Sequence, residues 1–277
     1  MISSILTHSE MANEIEATHK NGYKAIAYLP VGCIEQHGPF LPLETDSLIA
    51  NAFAKDICTM MTEKKYWGYV FPPVHYSPTR SNIGFCGSVS IDEEPFRAYV
   101  SQICSSLMKH PFDVLVIVSG HGPADPSLKE ISFQLVNKQF LNYSKQVIPA
   151  VVISIFEHSY KIEKRFKQKP GKHADWREFL MLYRLLGEKY FDGDRLNRLK
   201  DFSDSNSFEN TPSLILGIPI EYRSTDGVIG DPLPHGDADW ETLANEIWEY
   251  LLLVTIERLI KEFESFNNRW GVKSITD

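Results

Sequence analysis

Apolar positions fall into short unbroken runs separated by longer segments of helical spacing. Lys24 to Val31 is apolar from Ala25 onward, as expected of a strand covered on both faces. Tyr69-Val70-Phe71-Pro72-Pro73-Val74 predicts a second strand, whose prolines place it at a sheet edge or end it early. Asp113 to Ser119 is the clearest strand, Val147 to Ile155 a β-branched fourth, and Leu214 to Ile220 a short fifth. Between them, helical patterns run from a Thr7 or Ser9 cap to about Asn21, from Asp46 to about Glu63, from Asp92-Glu93-Glu94-Pro95 to about His110, and from Asp125 to Phe140. Two more run from about His173 to Tyr190 and from Asp237 to Phe266, the last carrying Leu243, Ile247, Leu251, Val254 and Leu259. Lys161 to Lys172 reads as a basic loop and Asp192 to Pro212 as polar and irregular. Strands alternating with helices predict a three-layer α/β/α fold with a mostly parallel central sheet. With no internal repeat or linker, residues 1–277 read as a single domain.

The ends of these strands hold the chemistry. In open parallel sheets, functional groups gather outside the carboxyl ends of the strands. Glu35 and His37 follow the first strand and, two residues apart, leave an extended chain on the same side. Asp46 opens the next helix. His121 follows the third strand at once, on a Gly-His-Gly turn. Glu157 and His158 follow the fourth, and His173 and Glu178 lie beyond the loop after it. Singly, Glu35 reads as a loop acid, Asp46 as a helix cap, His75 as a packed histidine, His110 as a helix end, and Trp176 as core. Together they place imidazoles and carboxylates at one end of one sheet, a donor set that suits zinc, manganese or iron(II) better than calcium or magnesium. A bridging carboxylate such as Asp46 would allow two metals, with a non-ligand histidine protonating a leaving nitrogen.

Composition narrows the class. The net charge of −8, with no basic run, argues against nucleic-acid or anionic-membrane partners. Four cysteines without a C-x-x-C pair, an N-terminus unlike a signal peptide and the lack of any membrane-length apolar run predict a cytoplasmic protein with free thiols.

The stretch from Pro30 to Asp46, PVGCIEQHGPFLPLETD, resembles the signature of the creatininase (creatinine amidohydrolase) family. Ser119-Gly120-His121-Gly122 is similar to that family's Asn-Gly-His-Gly, and Gly84-Phe85-Cys86-Gly87-Ser88 to its Phe-Pro-Gly-Thr loop. His173-Ala174-x-x-x-Glu178 and Gly227-Val228-x-Gly230-Asp231-Pro232 resemble two later segments in the same order. The resemblance implies an often hexameric α/β/α enzyme with two divalent metal ions, zinc ahead of manganese or iron. It implies that Glu35, Asp46 and His121 hold one metal, that His37 and bridging Asp46 hold the other, and that His173 transfers a proton. Pro123 stands where creatininase has a second-metal glutamate, and Glu178 is the candidate replacement, read with His173 as catalytic. Asn82 replaces a histidine common before the Phe-Pro-Gly-Thr loop, while Asp175, Phe179 and Leu180 depart from the usual Gly and Thr-Ser positions.

The expected function is that of a metal-dependent amidohydrolase. It would cleave a non-peptide or cyclic amide C–N bond of a small molecule by a metal-bridging hydroxide, with a homo-oligomeric assembly. The alternatives are a formamide hydrolase of formamidopyrimidine-type nucleotides and a non-catalytic metal-binding descendant. A serine hydrolase using Ser119 with His121 lacks the Gly-x-Ser-x-Gly elbow, and no G-x-G-x-x-G follows the first strand to bind a dinucleotide.

Overall fold

A computed structural model describes residues 5–270 apart from 143, 145, 170, 192, 201–217 and 238. Among these residues the sheet has four strands, β1 (Lys24–Val31), β2 (Tyr66–Val70), β3 (Val114–Ser119) and β4 (Ala150–Ser154), all parallel in the order β2-β1-β3-β4. The helices are α1 (His8–Lys20), α2 (Thr45–Thr62), α3 (Glu93–Leu107), α4 (Asp125–Leu141), α5 (Ser159–Arg165), α6 (Trp176–Leu186), α7 (Gly193–Lys200) and α8 (Trp240–Trp270).

The two-residue alternation of the strands builds a core on each face. Ile26 and Tyr28 of β1 and Val114, Val116 and Val118 of β3 pack with α2, α6 and α8. Ala25, Ala27 and Leu29, with Leu115 and Ile117, pack instead with α1, α3 and α4. This is the α/β/α layering that the runs in β1 and β3 predict. Thr7 caps α1 in a reciprocal capping box with Glu10.

Several boundaries differ from the sequence pattern, each for a backbone reason. The second strand lies earlier, because Pro72 and Pro73 have no N–H to give a ladder; only Val74 pairs again, with Val31. It does stand at a sheet edge. The fourth strand starts after Pro149. The basic loop at 161–172 contains α5, anchored by buried Ile162 and by Arg165 over the Tyr250 ring at 4.9 Å. One apolar anchor in seven residues is too little to register as periodicity. Of the expected strand at 214–220, residues 214–217 lie outside the described residues, and Ile220–Tyr222 is a 3₁₀ turn behind Pro219. The polar stretch at 192–212 includes α7, while 201–212 lie outside the described residues. The final helix continues four residues past Phe266.

From β1 the chain crosses to β2 on one side, and from β3 to β4 on the other. The carboxyl ends of β1 and β3 therefore form the switch point where a crevice opens. Gly120 closes its floor: a Cβ there would lie 2.3 Å from the Asp46 carbonyl oxygen and 3.1 Å from Ala50 Cβ. The first turn of α2 can sit against the end of β3 only because that side chain is missing. Gly120→Ala should therefore destabilise the fold by about 1–3 kcal/mol through overpacking, read as a lower urea midpoint at unchanged m-value; an unchanged midpoint would contradict this packing.

Candidate metal centre

β1 ends at Gly32, and the chain enters a loop in which Glu35 donates its backbone N–H to the Leu43 carbonyl at 3.0 Å. That hairpin-like return places the Glu35 and His37 side chains beside the first turn of α2. Asp46 lies in that turn with its carboxylate buried, 1% exposed, and Glu44 rather than Asp46 occupies the cap position. The reading of Asp46 as a helix cap is therefore wrong. His121 follows β3, and His173 and Glu178 come from the segment opening α6, where Asp175 caps the helix by accepting from Arg177 N at 2.8 Å. Between them, buried Ala174 takes a left-handed φ of 51°, a conformation costly for a residue with a Cβ.

All six predicted residues, Glu35, His37, Asp46, His121, His173 and Glu178, meet in this crevice. His37 Nε2 lies 3.1 Å from Asp46 Oδ1, 3.7 Å from Glu178 Oε1 and 4.0 Å from Glu35 Oε1. His121 Nδ1 lies 2.9 Å from Asp46 Oδ2 and 3.5 Å from Glu35 Oε1. His173 Nδ1 is 3.6 Å from the same Glu35 oxygen, and its ring packs 4.6 Å from that of His37. Donor atoms around one tetrahedral ion stand about 3.3–3.7 Å apart, so the spacing is that of shared coordination. Despite these short distances, among the described residues His37 Nε2, Asp46 Oδ2 and Glu178 Oε2 make no aligned hydrogen bond.

Each imidazole has a defined tautomer when neutral. A carbonyl oxygen can only accept, so the ring nitrogen facing it carries the proton. His37 Nδ1 donates to the Glu35 carbonyl at 3.1 Å, His121 Nε2 to the Pro78 carbonyl at 3.0 Å, and His173 Nε2 to the Gln36 carbonyl at 2.8 Å. The Gln36 amide nitrogen, also near His173, already spends its two protons on Asn82 Oδ1 at 2.6 Å and Gly227 O at 3.0 Å. Each neutral ring thus turns a bare nitrogen toward the carboxylates, the orientation that metal-ligating histidines adopt.

The carboxylates are oriented too. Glu35 Oε2 accepts from Asn82 Nδ2 at 2.8 Å and from the Thr79 hydroxyl, which leaves Oε1 facing the three imidazoles. Burial alone would lower the His37 and His121 pKa values, but the nearby carboxylates overcome it. Asp46 and Glu178 hold His37 well above the ordinary range, while Glu35 and Asp46 raise His121 to about 9. In the same way, burial would raise Asp46 and Glu178, yet the facing histidines hold both below the usual carboxylate range.

Other sequence candidates lie elsewhere. Glu157 pairs with Arg258 at 2.7 Å, and with His158 it lines a separate groove along β4. His75 is not packed but half-exposed, 3.3 Å from Glu44. Ser119 Oγ donates to the His121 backbone carbonyl at 3.1 Å rather than meeting its ring, which removes the serine-nucleophile arrangement. Sequence reasoning did not find Thr79 and Gln36 as supports, and found Asn82 only as a departure. They reach the site from 44, 137 and 47 residues away from the groups they hold, with no local pattern to mark them. A cavity of about 500 Å³ opens beside the cluster, walled by Asn82, Tyr160, Lys172, His173 and Arg177.

Among curated proteins, the chain is 36% identical over 98 residues to the mycofactocin precursor peptide peptidase of Mycobacterium ulcerans (strain Agy99), covering 34% of this chain and 39% of that one. It is 26% identical over 160 residues to the 3-dehydro-scyllo-inosose hydrolase of Thermotoga maritima, covering 53% and 46%. The chain thus spans less than half the length of these two relatives. Solved structures of creatininase in manganese and Zn-Zn forms share the fold, with TM-scores of 0.72 and 0.69 at 18% and 19% identity. Each match covers 97% of this chain and 98% of the other. The family model described as creatininase, creatinine amidohydrolase, matches residues 9–252, and the chain belongs to the creatininase family.

Proposed function

We propose that this protein is a metal-dependent amidohydrolase that cleaves a non-peptide or cyclic amide C–N bond of a small molecule. In this reading Glu35, Asp46 and His121 would hold one divalent ion, and His37, Asp46 and Glu178 would hold a second, with zinc favoured over manganese or iron. The observation that carries it is the set of imidazole nitrogens turned on three buried carboxylates. Each ring is already fixed through its other nitrogen to a backbone carbonyl. Mixed nitrogen and oxygen donors at this spacing fit a transition metal. When bound, such ions polarise a substrate carbonyl and lower the pKa of water toward about 7.

The chain's own residues do the rest. His173 stands at the cavity wall with its side chain 13% exposed, and its Nδ1 can hold the proton that a leaving nitrogen needs. The Gln36 carbonyl accepts from Nε2 and steadies the imidazolium when both nitrogens are protonated. Gln36 is itself fixed by Asn82 and by Gly227, whose φ of 84° and lack of a Cβ let its backbone approach the amide. Asn82 and Thr79 keep Glu35 from rotating away. A cavity of about 500 Å³ suits a small substrate. The relatives' names differ in substrate, consistent with a shared centre whose walls choose what is cleaved.

The metal-free centre should hold protons that binding displaces. With His121 raised to about 9, that imidazolium contributes stability fully below pH 6.5 and loses it as pH rises through about 9. Zinc affinity should therefore increase across this interval, and titration calorimetry in buffers of differing ionisation enthalpy at pH 7 should show net proton release. Uptake without proton release would contradict the arrangement. Glu35→Gln should lose bound metal. His173→Ala should retain it and lose roughly 10²–10⁴-fold in kcat, in a screen of creatinine, small lactams and formamidopyrimidine nucleotides. A metal-replete wild type that turns over none of these, or a fully active His173→Ala, would sink the hydrolase reading.

A further inference from the structure

We propose that Cys33 is a metal ligand at the Glu35–Asp46–His121 position, giving that half of the centre a sulfur donor that the other half lacks. The inference rests on the metal reading above and goes beyond it. Cys33 Sγ, a Glu35 oxygen, an Asp46 oxygen and a His121 nitrogen all lie within 4.8 Å of one another, and all four residues are buried. Cys33, Glu35 and His37 lie two residues apart in the loop that leaves β1, and Glu35 belongs to one group of potential ligands with Cys33 and to another with His37. Gly32 brings Cys33 to the first turn of α2: a Cβ at residue 32 would sit 2.4 Å from Ser47 N.

Two further features separate Cys33 from an inert core thiol. Asp46 Oδ2, buried and without an aligned partner, belongs to the same residue group. The thiol's contact with the Ser77 carbonyl, at 3.7 Å, is the weak hydrogen bond of an S–H donor. Cys58 and Cys104 are also buried, yet among the described residues neither joins a group of potential ligands.

The consequence is an asymmetric centre. Cysteine, glutamate, aspartate and histidine supply four donors, enough to close a tetrahedral shell, whereas His37, Asp46 and Glu178 supply three and leave a place for substrate. On binding, the S–H bond breaks, the sulfur lone pair goes to the ion and the proton leaves to solvent. A sulfur donor selects zinc or cobalt over manganese at the closed position, while the all-nitrogen-and-oxygen position tolerates either.

Cobalt(II) titration of the full chain after chelator treatment tests this by spectrum rather than by turnover. The wild type should show visible d–d bands together with a near-ultraviolet sulfur-to-cobalt charge-transfer band. The second band should vanish in Cys33→Ser and persist in Cys86→Ser. Visible bands without the charge-transfer band, or a band that survives in Cys33→Ser, would overturn the cysteine ligand while leaving the metal centre intact. No cobalt uptake at all would overturn both. If Cys33→Ser does not fold, X-ray absorption of zinc-loaded Cys86→Ser decides. A zinc–sulfur distance of about 2.3 Å supports the ligand, and a shell of nitrogen and oxygen alone refutes it.

Discussion

The structure depends on keeping three carboxylates, Glu35, Asp46 and Glu178, inside the protein and close together. Buried like charges stay ionised only if positive charge faces them, because leaving water costs several kcal/mol per ion. Here imidazoles supply that balance, and the backbone decides how. Each of the three rings gives one N–H to a carbonyl, from Glu35, Pro78 or Gln36, and presents the other nitrogen to the carboxylates. In the proposed function, metal ions take the place that protons hold in this arrangement. The carbonyls belong to loops that the sheet holds in place, so ring orientation is inherited from the fold.

The sheet contributes position and little else to the chemistry. The strand order brings the carboxyl ends of β1 and β3 side by side, with the chain leaving in opposite directions. The space above them is filled by the first turn of α2, which carries Asp46 to the middle of the cluster. That turn can approach only because residue 120 is glycine. Asp46 then faces His37 on one side and His121 on the other. Within the same layer, the start of α6 brings His173 and Glu178 to the cluster, with the buried Asp175–Arg177 pair between them at the helix cap. Four segments, the loop after β1, the first turn of α2, the end of β3 and the start of α6, thus meet in one cluster.

Much of this was legible in the sequence because the decisive residues sit at ends of strongly patterned elements. The unbroken runs of β1 and β3 announced buried parallel strands, and the polar residues just beyond them had to lie at one end of the sheet. Glu35, His37, Asp46, His121, His173 and Glu178 were all named on that basis or from motif resemblance. Elements failed to show where the backbone, not the side chains, set the outcome: prolines shortened β2 and β4, and α5 was too short for its periodicity to register. Glu157 and His158 also follow a strand, but β4 is an edge strand, and these two side chains face Arg258 and the groove along β4 rather than the cluster. The supporting groups Thr79, Asn82 and Gln36 could not be read from pattern, because their roles exist only across long-range hydrogen bonds.

The central claim is that one buried aspartate joins two metal positions with different partners. Diffraction from crystals grown with zinc, recorded on both sides of its absorption edge, tests it most directly. The account predicts two anomalous peaks per chain, both touching Asp46, one bounded by Glu35 and His121 and the other by His37 and Glu178. A single peak, or density bound only at surface residues, would contradict it.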